Sequence, residues 1–114
     1  MYKLVKMAIP SGWEMVINNF LYINLSEIKK NNKICLNLTQ DIMYIQRKRK
    51  KVTLGIDLGW YPETEPTGQY CIKVIKNDDW EKPIEIYENR DIDDIINKIE
   101  MLLIKYSKDY NYVK

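Results

Sequence analysis

The chain has 114 residues, 46% of them hydrophobic and 30% charged, with a formal net charge of +2. That length suits one domain over residues 1–114, and that composition excludes a disordered polymer. With no histidine and only two cysteines, the commonest general base and metal ligand are gone, and no disulfide framework can be built.

In chain order, Tyr2–Ile9 alternates weakly and reads as a short strand ended by the turn cluster Pro10, Ser11 and Gly12. Trp13–Ile17 follows as a second strand, with Trp13, Met15 and Ile17 on one face. Asn18 and Asn19 accept turn conformations, so the chain is expected to bend before Phe20–Leu25. Ser26–Lys33 is polar and reads as a loop or one helical turn. Ile34–Leu38 reads as a strand, and Asp41–Ile45 as its continuation or a short helical turn. Arg47–Lys51 is an unbroken basic run placed as a strand connection.

Val52–Trp60 carries the strongest local pattern. Val52, Leu54, Ile56, Leu58 and Trp60 point one way, and Thr53, Gly55, Asp57 and Gly59 the other, which is the period of a half-buried strand. The two glycines remove side chains where another backbone or a partner could approach. An acidic turn from Pro62 to Gly68 leads into a further apolar strand, Tyr70–Lys76. Asn77, Asp78 and Asp79 mark the next turn, and Ile84, Ile86 and Glu88 lead toward the last element.

That element is a helix. Ile92, Ile95, Ile96, Ile99, Leu102, Leu103 and Tyr106 form an apolar stripe at helical spacing. Asp91 is placed to cap it, with Asp93 and Asp94 in the first turn and Lys98, Lys105 and Lys108 toward the other end, the signs that the helix dipole favours. The tail Ser107–Lys114 is expected to fray. The sum is an α+β fold: an antiparallel meander of about five or six strands with one long C-terminal helix packed on one face.

Cys35 and Cys71 sit in apolar runs and read as buried free thiols in a reducing cytosol. No run approaches the length of a membrane span, and Lys3 and Lys6 are not followed by an apolar leader, so a cytoplasmic protein is expected. The carboxylate pairs Glu63/Glu65 and Asp78/Asp79 fall in turns, where acids are simply solvated. No phosphate loop, metal spacing or nucleophile elbow is present, so neither enzyme activity nor a cofactor nor a metal is expected. Asp57 lies either in solvent beside a groove or against a partner. Charge is segregated: residues 1–56 hold 10 Lys/Arg against 3 Asp/Glu, and residues 57–94 hold 4 against 11. This either makes an acidic patch for a basic partner or is complementary within the fold. Nine Tyr and three Trp against one Phe suit a sheet face or a partner-facing surface.

Gly12-Trp13, Val16-Ile17-Asn18-Asn19-Phe20, Asp41-Ile42 and above all Ile56-Asp57-Leu58-Gly59-Trp60-Tyr61-Pro62-Glu63, with Pro66, Gly68, Tyr70 and the Asp91-Ile92 helix start, resemble small bacterial immunity proteins. These are encoded beside polymorphic toxins, including those of contact-dependent growth inhibition. The resemblance implies a cytosolic antitoxin that binds the C-terminal domain of a cognate toxin, often a nuclease, and blocks it stoichiometrically. It implies no small-molecule substrate, no membrane, and a monomer or weak dimer. Charge segregation and the chemistry of the turns place the expected toxin-binding residues at Asp57, Trp60, Tyr61, Glu63, Glu65, Asp78, Asp79 and Glu81. One departure is the marginally basic net charge, since immunity proteins against nucleases are often strongly acidic. The second reading is a single-stranded nucleic-acid-binding module using Arg47–Lys51 and sheet aromatics.

Overall fold

The alternating strand becomes the centre of the sheet. The computed structural model describes residues 2–30 and 32–108. Its strands are β1 (Glu14–Asn18), β2 (Met43–Arg49), β3 (Val52–Tyr61), β4 (Gln69–Lys76) and β5 (Glu85–Asn89), and they pair antiparallel in sequence order. Register stacks like with like: Ile45 faces Ile56, which faces Val74, and Met43, Leu58, Ile72 and Tyr87 form the adjoining row. Those rows point to one side, where the C-terminal helix packs.

Two α-helices are present among the described residues, a short α1 (Leu25–Lys30) and the long α2 (Ile92–Lys108). Helix α2 buries Ile92, Ile95, Ile99, Leu102, Leu103 and Tyr106 against the sheet, as its spacing requires. Its start is capped as expected, the Asp93 N–H donating to Asp91 Oδ1 at 3.0 Å. Ser107 and Lys108 belong to the helix, and the rest of the tail expected to fray lies outside the described residues. The expected α+β meander with a C-terminal helix is therefore the observed architecture, with five strands.

Three short segments differ from their sequence reading. Ile34–Leu38 is not a strand: Asn32–Asn37 is a 3-10 helix. Ile34, Cys35 and Leu38 are buried while Leu36 is 70% exposed, a helical burial pattern that a short apolar run conceals. Tyr2–Ile9 makes only one bridge, Leu4 with Leu21. It is otherwise fastened along α2, the Ala8 N–H donating to Glu100 Oε2 at 2.8 Å. The basic run is only partly a connection, since Arg47, Lys48 and Arg49 lie within β2 and the turn itself uses Lys50 and Lys51.

Candidate functional site

Alternation that sends Leu54, Ile56 and Leu58 toward α2 sends Thr53, Gly55, Asp57, Gly59 and Tyr61 to the other side. Among the described elements no helix covers that side. Register brings Tyr44 and Lys73 directly beside Asp57, and Cys71 beside Gly59. Ile86 lies beside Lys73 on β5, and Ile17 beside Tyr44 on β1. Trp80, from the β4–β5 connection, packs its ring 5.6 Å from that of Tyr44. The face carries large apolar groups in the open: Ile86 is 57% exposed, Trp80 49% and Ile17 37%.

The glycines do not leave the gap that the sequence suggested. A Cβ at Gly55 would collide with the Tyr44 ring and hydroxyl, and one at Gly59 with the Gln40 carbonyl and the Tyr61 ring. The chain fills both places itself, and the aromatic rings close over the strand on either side of Asp57. Asp57 is accordingly only 7% exposed, which overturns a freely solvated position. Burial pushes its carboxyl up to about 6; Lys73 pulls it back down and Asp41 adds to the rise. No hydrogen bond or ion pair among the described residues reaches this carboxylate. Lys73, the nearby cation, sets its Nζ 5.1 Å from the centroid of the Tyr61 ring instead.

Of the residues expected to bind a toxin, Asp57 and Tyr61 share this open face. Trp60 does not, being fully buried on the α2 side, edge-on to Tyr70 at 5.0 Å between centroids. Its indole N–H donates to the Glu65 carbonyl at 2.7 Å, so Trp60 braces the turn from within. Glu63 and Glu65 are exposed at that turn, which is firmly tied. The Gln40 N–H donates to Glu63 Oε1 at 3.1 Å, and Arg90 donates to the carbonyls of Gly68 at 2.6 Å and Pro66 at 3.1 Å.

Asp78, Asp79 and Glu81 are exposed at the opposite end of β3, about 30 Å away at the rise of an extended chain. The Asn77 N–H bonds the Thr53 carbonyl at 2.8 Å and the Asn77 side chain accepts from the Thr53 N–H at 3.0 Å. This turn therefore sits at the same end as Lys50 and Lys51, and part of the charge segregation is complementary within the fold. The basic run is itself divided. Arg47 and Arg49 pair with Leu54 and Val52, on the α2 side, whereas Lys48 pairs with Thr53 on the open side.

Tyr44, Lys73, Trp80 and Ile86 belong to the face but were not singled out from the sequence. The alternation within Met43–Arg49 and Gln69–Lys76 gives the signal, once the register is known. Elsewhere, a shallow cleft of ≈ 290 Å³ is lined by Leu4, Asn19, Leu21, Leu36, Asn37 and Thr39, two amides, a hydroxyl and apolar groups without an acid or base. Among the described residues no helix is long and apolar enough to cross a membrane, and no group of three His, Cys, Asp or Glu is placed to hold a metal ion. No family model, curated protein or solved structure matches the chain.

Proposed function

We propose that this chain is an immunity protein that binds the C-terminal domain of a cognate bacterial toxin, a nuclease by the resemblance, in the cytoplasm. It neutralises that domain by stoichiometric binding, without catalysis or a cofactor. The observation that carries the reading is the open sheet face, where Trp80, Ile86 and Ile17 stand exposed around a buried carboxylate. Apolar groups left bare around a desolvated polar centre suit a protein interface: a few anchors dominate the energy, and their surroundings exclude water. The Asp57–Glu63 segment that bears the resemblance supplies the centre of this face and its adjoining turn. Co-expression with the toxin domain encoded beside the gene tests the reading. Restored growth and an equimolar complex are expected; a toxin that still kills while the chain is abundant and folded would contradict it.

The nucleic-acid reading rests on Arg47–Lys51 and the sheet aromatics; the strand splits Arg47–Arg49 between two faces, and Lys50 and Lys51 form the turn. Replacing all five by Ser or Gln is expected to leave fold and protection intact. Wild-type binding to single strands at physiological salt, lost in that variant, would instead favour the second reading.

A further inference from the structure

We infer that Asp57 is the seat for one basic side chain, an arginine or lysine, of the protein partner that docks on the open sheet face. This deepens the immunity reading and rests on its claim that the face binds a protein. The first ground is the carboxylate itself. It points to the open side of β3, is 7% exposed, and accepts no hydrogen bond among the described residues. A carboxylate largely removed from water, with no donors from the described residues, is poorly placed in the free protein, and a partner that brings both a charge and donors corrects this.

The second ground is the local field. Asp41 acts on Asp57; Asp57, Asp41 and Glu63 all act on the Tyr61 phenol; Glu88 and Asp57 act on the Cys71 thiol. Against these four carboxylates stand Lys73, whose Nζ lies over the Tyr61 ring, and Lys48 farther along the same side, beside Thr53. This part of the face is negative, so it attracts a cation and repels a phosphate backbone. The walls fit as well. Tyr44 and Tyr61 flank the carboxylate with aromatic surface, which stabilises an ammonium or guanidinium beside it. Ile86, Ile17 and Trp80 supply the apolar rim that a docked partner would cover. An arginine adds planar, forked donors to the charge, and a lysine a compact one.

The test needs no toxin, so its failure and failure of the immunity reading are separate outcomes. The ¹⁵N-labelled protein is titrated with N-acetyl-arginine amide, N-acetyl-lysine amide and the neutral N-acetyl-citrulline amide at neutral pH and low salt. Shifts confined to amides 55–59 and 71–75 are expected, with half-saturation at about five-fold lower concentration for the cations than for citrulline, the scale of one screened ion pair. Saturating arginine amide should also move the Asp57 carboxyl ¹³C titration midpoint downward, and Asp57→Asn should abolish the response. Equal response to citrulline, response elsewhere, or persistence in Asp57→Asn overturns the inference. Lys73→Gln guards against a misfolded Asn variant: it keeps the carboxylate, removes the competing cation, and should tighten arginine amide about five-fold. Unchanged or weaker binding there also overturns it.

Discussion

Asp57 holds a carboxylate largely away from water and Tyr70 a hydroxyl wholly so, and each predicts a gain on its removal. The Asp57 carboxyl rises from 3.8 to about 6 through burial, partly offset by Lys73. A carboxyl whose folded value exceeds its unfolded one binds more protons in the fold. Its effect is therefore least harmful below about pH 4, grows as pH rises toward 6, and is constant above. Asp57→Asn should stabilise the free protein by about 1–2 kcal/mol at neutral pH, the shift being reduced by the water the carboxylate still touches, and by nothing near pH 3, read from urea midpoints. An equal change at both pH values would show that the charge is not the cause. The Tyr70 hydroxyl is buried with no hydrogen-bond partner among the described residues, and burial pushes the phenol above its ordinary value. Tyr70→Phe should hold or raise stability, by up to about 1 kcal/mol, in the same melts. A clear loss would mean that the hydroxyl has a partner. At this scale the sequence is legible wherever alternation is strict: it puts Asp57 on the side opposite its core neighbours Ile56 and Leu58. The same pattern places Trp60 with those core residues, so only the chemistry of its side chain argues for the interface.

Elements were legible in proportion to the length of their pattern. Helix α2 and strand β3 repeat their periods over enough residues to exclude other readings. Ile34–Leu38 is too short for that, and its Leu36 and Asn37 turn outward as a helical segment requires. The Tyr2–Ile9 segment alternates, but it finds its hydrogen bonds largely away from the sheet, at Phe20, Lys3–Tyr22 and Glu100. The long helix gives the sharpest prediction. Ile99 is fully buried where α2 meets the sheet, so Ile99→Asp should abolish the cooperative melt, several kcal/mol being a large part of a small domain's stability. A transition within a few degrees of wild type would mean that the helix does not dock as described.

Over the whole molecule, one side of the sheet is covered and the other is open, and the proposed function divides stability from recognition along that line. The turn at Glu63 and Glu65 was readable from its prolines, but not its fastening by Arg90 and Trp60, which comes from residues distant in sequence. The open face was not readable as a unit. Ile17, Tyr44, Asp57, Lys73 and Ile86 come from five different strands and meet only through their register. Charge counted along the chain left open whether it was complementary within the fold, because only the pairing shows that the acidic and basic turns share one sheet end.

The most direct measurement is the affinity for the proposed partner, the toxin domain, of two surface variants, Ile86→Arg on the open face and Met101→Arg on the outer side of α2. Both side chains are well exposed, so both variants should melt like the wild type. The account predicts binding weakened about ten-fold or more by Ile86→Arg, with growth protection lost, and unchanged by Met101→Arg. Full affinity in Ile86→Arg, or a loss confined to Met101→Arg, would contradict it.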